Sequence, residues 1–225
     1  QFNGIHEGLV QSWKDIFPKK GEIHFAGALE NNEDTGTLQY LASTAMEAGF
    51  STRVLDMQAL DLQNGRFFDP AGELVNRCFK LYPWEWMVDE SPDGCLAEME
   101  WLEPIWKLVM SNKAILATLY ELFPDSPYVL PCYLSRPRSG LFCKKPVFSR
   151  EGHNVSVVDI RDWEEYVRIA ETEGDYNTGA YVYQEYAEPT AYSGRYPVIG
   201  SWIIGGEAAG IGIRENRMEV TDNLS

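Results

Sequence analysis

The sequence predicts an α/β unit followed by an α+β unit built on an antiparallel sheet, and three observations lead there. Residues 22–57 carry a strand, helix, strand rhythm with turn residues between the parts. Residues 97–122 hold two stretches of helical spacing. From residue 142 onward β signals dominate, in short runs separated by turns. No internal repeat or low-complexity linker interrupts the chain, and the expected division is into residues 1–88 and 89–225.

Each element has its own signal. Residues 6–17 place Leu9, Val10, Trp13, Ile16 and Phe17 at helical spacing, and Pro18 stops the helix. Residues 22–29 read as a buried strand. Asp34 or Thr35 then caps a helix to about residue 47, Gly49 ends it, and residues 51–57 form a second strand, expected parallel to the first. Asn64-Gly65 and Asp69-Pro70-Ala71-Gly72 mark a small hairpin within residues 60–75. Residues 77–82 add a strand and residues 89–94 a polar loop. Helices are expected over residues 97–109 and 113–122, before Pro124, Pro127 and Pro131. Strands follow over residues 142–148, 155–160, 180–186, 198–204 and 208–213, with one helix at 162–169. Trp101, Trp106, Met99 and Met110 are assigned to the core.

Thirty-four acidic against nineteen basic residues give a formal charge of −15, which argues against a nucleic acid partner. The charge serves solubility, or attracts cationic substrates such as polyamines; alone it does not choose. No run approaches the about twenty apolar residues of a membrane span, and the N-terminus has no secretory signal, so a soluble cytoplasmic protein is expected. Cys78, Cys95, Cys132 and Cys143 make no Cys-x-x-Cys pair and the histidines do not cluster, so neither a zinc site nor a disulfide framework is indicated.

Chemistry concentrates in the second half. Lys144-Lys145-Pro146 ends a strand, and Ser149-Arg150-Glu151-Gly152-His153-Asn154 makes a turn before the next. A lysine fixed there sets a point charge on a triphosphate while a glycine turn brings N–H groups to the same oxygens; a basic pair beside a turn is equally the mark of a solvated surface. Tyr183-Gln184-Glu185-Tyr186 ends another strand and offers backbone groups to adenine with a carboxylate near ribose, or is an amphipathic strand with alternating aromatics. Arg214, behind Gly210 and Gly212 near a strand end, suits an anionic reacting group or a surface ion pair.

Five ordered blocks together resemble the glutathionylspermidine synthase family of ATP-grasp ligases: Tyr82-Pro83-Trp84-Glu85-Trp86-Met87; Asn112-Lys113-Ala114-Ile115-Leu116; Lys145-Pro146 with Arg150-Glu151-Gly152-His153-Asn154-Val155; Tyr183-Gln184-Glu185-Tyr186; and Ile199-Gly200-Ser201-Trp202 with Gly212-Ile213-Arg214. The resemblance spans nearly the whole chain. It implies a pre-ATP-grasp unit over 1–88 and an ATP-grasp region over 89–225, using ATP and Mg²⁺ to join a carboxylate to an amine. Glutathione and spermidine are the family's type substrates.

The resemblance also implies roles. Lys113 and Lys145 hold ATP phosphates with the Gly152 turn; Gln184, Glu185 and Tyr186 form the adenine side; Arg214 stabilises the reacting acyl phosphate; Glu151 is a magnesium ligand. Arg150 and Glu85 are candidate substrate contacts, although Trp84-Glu85-Trp86 reads equally as an aromatic core wall. The Gly152 loop and residues 171–179 are candidate lids. The resemblance places the family's Glu-x-Asn magnesium pair upstream of Gln1, so the chain is expected to be a fragment lacking part of the metal and acid sites. A nucleotide-binding module without ligase activity is the alternative.

Overall fold

In the computed structural model, which describes residues 3–162, 165–176 and 179–217, Val10 and Trp13 bury one face of α1 (Ile5–Ile16). A parallel sheet follows: β1 (Glu22–Gly27), α2 (Asn32–Glu47) and β2 (Ser51–Asp56) make the expected parallel pair, Glu22 opposite Ser51 through Gly27 opposite Asp56. The α2 start lies earlier than the sequence suggests, because the Asn31 side chain accepts from Glu33 N at 2.9 Å and Asp34 N at 3.4 Å. Gly49, at φ +92°, ends the helix as expected.

The two turn signals of residues 60–75 yield three strands: β3 (Asp61–Gln63), β4 (Arg66–Phe68) and β5 (Leu74–Val75), paired antiparallel. β6 (Arg77–Leu81) then returns beside β1, in parallel. The next stretch departs from expectation. Pro83 opens α3 (Trp84–Glu90), α4 (Pro92–Cys95) replaces the polar loop, and the helix expected over 97–109 is β7 (Glu100–Leu102) followed by a 3₁₀ turn, Ile105–Met110. The edge of β6 captures residues 100–102, Arg77 pairs with Glu100 at 2.8 Å, and Pro104 has no N–H to continue a helix. Trp106 and Met110 are consequently exposed at 61% and 59%, not in the core.

The sheet order is β2-β1-β6-β7. α1 and α2 cover one face over Trp13, Ile23, Phe25 and Leu38; the other face packs Phe67, Val75, Trp84 and Met87. Trp84 and Phe67 meet the Trp101 ring edge-on at 5.5 and 5.6 Å, so the Trp84 block is an aromatic core wall.

A second, antiparallel sheet has the order β11-β10-β9-β12-β8. Its strands are β8 (Cys132–Tyr133), β9 (Gly140–Pro146), β10 (Ser156–Ile160), β11 (Tyr166–Glu171) and β12 (Tyr181–Glu185), and α5 (Ala114–Leu122) packs Ala117 against Cys132 and Val182. The helix expected at 162–169 is a turn into β11, with residues 163 and 164 outside the described set. Asp162, at the start of the expected helix, accepts from Glu165 N at 2.8 Å and closes the turn. β13 (Tyr196–Ile204) and β14 (Glu207–Asn216) form a separate two-stranded sheet whose turn, Gly205 and Gly206 at φ +60° and +88°, requires the left-handed region twice.

The described residues group into two units: those up to Leu108 together with Ser201–Ile211, and Val109–Gly200 together with those from Gly212 on. The expected boundary at residue 88 thus falls inside the first unit, where the pairing of β7 with β6 keeps the following twenty residues or so. Among the described residues no helix is long and apolar enough to cross a membrane.

Candidate nucleotide site

Successive residues of a strand point to opposite faces, so the register of β9 against β12 decides which groups meet. Lys145 lies opposite Val182, Lys144 opposite Tyr183, Cys143 opposite Gln184 and Phe142 opposite Glu185. Lys145 and Gln184 therefore share one face, and Lys145 Nζ donates to Gln184 Oε1 at 2.6 Å. Lys144 goes to the other face, with Nζ 3.9 Å from the centre of the Tyr181 ring. Burial raises the thiol pKa values of Cys143 and Cys132, and the positive charge of Lys145 opposes both shifts.

Lys113, just before α5, is tied to the exit of β9. Its N–H donates to Val147 O at 2.9 Å, and its Nζ donates to Ser149 Oγ at 2.8 Å and Ser149 O at 2.5 Å. Beyond Ser149 the chain makes a tight turn: His153 N donates to Arg150 O at 2.9 Å, and Glu151, Gly152 and Asn154 have φ of +52°, +72° and +54°. Among the described residues the N–H groups of Glu151, Gly152 and Asn154 have no hydrogen-bond partner. Clustered N–H groups of this kind form an anion-binding concavity.

The other predicted residues are placed differently. Glu185 faces away from Lys145, and the N–H groups of Glu185 and Tyr186 are already bonded, to Pro131 O at 2.8 Å and Leu141 O at 3.0 Å. That segment therefore cannot offer those two N–H groups to adenine, contrary to the sequence reading. Arg214 lies exposed on β14, in a different sheet from Lys145, and among the described residues it has no ion-pair partner. Glu151 is exposed, and no group of three or more His, Cys, Asp or Glu side chains arranged for a metal occurs among the described residues. Magnesium is commonly held by one or two carboxylates together with substrate phosphates and water. Glu85, half-buried on α3, belongs to the first unit. There it adds to the field at Lys80, whose pKa burial lowers to about 8 against the opposing pull of Glu103 and Glu85.

Sequence reasoning missed Ser149 and Thr172 as partners of the lysine and the turn. Ser149 stood inside the informative stretch, but nothing in its spacing signals the bond to Lys113.

The arrangement provides cationic and N–H donors along one strand exit, with Lys145 held by a neutral amide. Such a cation keeps its charge available for phosphate oxygens. The family described as "Glutathionylspermidine synthase preATP-grasp" matches residues 1–225. A putative acid–amine ligase of Haemophilus influenzae is 34% identical over all of this chain and 60% of its own length. The trypanothione synthetase of Crithidia fasciculata is 27% identical over 89% of this chain and 34% of its own. The bifunctional glutathionylspermidine synthetase/amidase of Escherichia coli is 27% identical over 94% of this chain and 39% of its own.

Proposed function

Because the chain belongs to the glutathionylspermidine synthase pre-ATP-grasp family, we propose that it works in an ATP-dependent ligase joining a carboxylate to an amine through an acyl phosphate. The observation that carries this reading is the ammonium of Lys145, buttressed by Gln184 and left without a carboxylate partner among the described residues. Lys145, Lys113 and the turn at Gly152 receive the triphosphate.

In the reaction a substrate carboxylate oxygen bonds to the γ-phosphorus as the bond to ADP breaks. The amine nitrogen then attacks the acyl carbon, phosphate leaves, and the amine loses a proton. Two anions meet in the first step, so fixed cationic donors that offset the developing charge lower its barrier. Arg214 takes that role at the acyl phosphate. Gln184 steadies Lys145, and the segment Glu185–Tyr186 takes the base and ribose, with the Glu185 carboxylate toward the ribose hydroxyls. Arg150, beside the same turn, contacts the acid, and Glu85, in the first unit, is a separate candidate for drawing in a cationic amine.

A glutathione-like acid and a polyamine-like amine are the proposed substrates. The names of two relatives support this, and a net charge of −15 favours a cationic partner. Four free thiols suit a reducing, cytoplasmic setting. A second reading, nucleotide binding without ligation, draws on the finding that no group of three or more His, Cys, Asp or Glu side chains arranged for a metal occurs among the described residues.

The test is ADP release by the full-length protein given ATP, glutathione and spermidine, with hydroxylamine added to trap an acyl phosphate as the hydroxamate. Acid-dependent ADP release with hydroxamate formation supports ligation. Nucleotide binding with no ADP release in the presence of any acid and amine pair would leave the second reading.

A further inference from the structure

The turn at Glu151–Asn154 holds two non-glycine residues, Glu151 and Asn154, in the left-handed region, a conformation that costs energy unless the surroundings enforce it. The enforcing groups come from the segment after β11. Along residues 171–176 exposure alternates: Glu171, Glu173 and Asp175 face out, while Thr172, Gly174 and Tyr176 are partly covered. Each of the three inner residues contacts the turn.

The Thr172 hydroxyl donates to Gly152 O and accepts from Val155 N at 3.0 Å, while Thr172 N donates to Val155 O at 2.9 Å. One side chain thus clamps both ends of the turn. Tyr176 N donates to Asn154 Oδ1 at 2.8 Å, and the Tyr176 ring meets the His153 ring edge-on at 5.9 Å. Between them Gly174 lies so close that an added Cβ would come within 2.4 Å of His153 Cβ and 2.9 Å of Asn154 Oδ1. The bonds satisfy carbonyls and a side chain, and leave the N–H groups of Glu151, Gly152 and Asn154 without a partner among the described residues.

We propose that Thr172, Gly174 and Tyr176 are positioning residues that hold the Glu151–Asn154 turn in its anion-receiving form, with the Thr172 hydroxyl as the central contact. Their effect on a nucleotide rests on the ligase reading given above; their effect on the turn does not. Holding donors in place beforehand spares the ligand the cost of ordering them. The Gly152 loop and the described residues 171–176 of the second candidate lid are in consequence tied together, through Thr172 and Tyr176.

The experiment compares Thr172→Val, Thr172→Ser and Gly174→Ala in the full-length protein, by hydrogen exchange of residues 152–155 without ligand and by KM for ATP. Thr172→Val keeps the shape and loses the hydroxyl; exchange should quicken and KM rise, each by about five- to tenfold, with Thr172→Ser restoring both to within about twofold. Gly174→Ala should act in the same direction, by crowding His153 and the Asn154 side chain that accepts from Tyr176 N. Parental exchange in both Thr172→Val and Gly174→Ala would overturn the proposal. Faster exchange with an unchanged KM would also overturn it, provided Lys145→Ala weakens ATP. If Lys145→Ala leaves ATP binding intact as well, the nucleotide reading fails separately, and exchange still reports on the clamp.

Discussion

Lys145 and Gln184 are joined across adjacent strands by a 2.6 Å hydrogen bond, on the face of the sheet that Lys144 does not share. A pair of adjacent lysines in sequence is therefore divided between two environments: one ammonium held by an amide, the other over the Tyr181 ring.

That division yields an unequal pair of substitutions. Lys145→Ala should weaken binding of a non-hydrolysable ATP analogue by on the order of 1.5–3 kcal/mol, the scale of charge-assisted bonds. Lys144→Ala should change affinity by less than about 0.5 kcal/mol, as for a substitution away from the ligand. Calorimetric titration reads both, and equal losses would deny that the sheet face selects the phosphate lysine.

Gln184 is expected to act through Lys145. Gln184→Ala should weaken ATP and GTP analogues alike, by about 1 kcal/mol, because a freed ammonium must be ordered by the ligand. If Gln184 read the base instead, the ratio of the two affinities would move, and competition between the analogues would detect it.

Lys80 makes a prediction about pH. Its Nζ donates to Tyr82 O at 2.8 Å over the Trp84 ring, and burial lowers its pKa to about 8. The unfolded lysine, near its ordinary value of about 10.4, binds its proton more tightly than the folded one. Between pH 8 and about 10.4 the unfolded state then carries more protons, so this group makes stability rise with pH; below pH 8 both states are protonated and the full penalty applies. Relative to Lys80→Met, the parent should gain on the order of 3 kcal/mol across that window, read from urea unfolding at a series of pH values. A constant difference between the two proteins would mean that Lys80 keeps an ordinary pKa when folded.

The sequence revealed elements where local chemistry and tertiary demand agree. The β1-α2-β2 unit was legible because burial, capping and Gly49 all point one way. Residues 97–110 misled because their apolar spacing suits a helix while the open edge of β6 takes Glu100–Leu102 as a strand. Residues 162–169 misled because Asp162, at the start of the expected helix, accepts from Glu165 N and closes a turn instead. At the site, Lys145 was visible in its motif, but its bond to Gln184 lies 39 positions away and depends on strand register. The clamp by Thr172 was invisible for the same reason: hydroxyl contacts between segments leave no periodic trace.

Arg214 separates a catalytic role from a structural one. It stands exposed on β14 without an ion-pair partner among the described residues, so its removal deletes no salt bridge there and should barely affect stability. If it stabilises charge that develops as the acyl phosphate forms and breaks, its loss should reduce turnover far more than ATP affinity, because only contacts stronger in the transition state speed the chemistry. Arg214→Lys keeps the charge and loses the planar fork that engages two oxygens at once. In the full-length protein kcat should fall by roughly a hundredfold or more, the scale for one preorganised donor, with the ATP dissociation constant within a few-fold of the parent. A lysine variant with the parental kcat would take Arg214 out of the reacting centre, and the ligase reading would then rest on Lys145, Lys113 and the Gly152 turn.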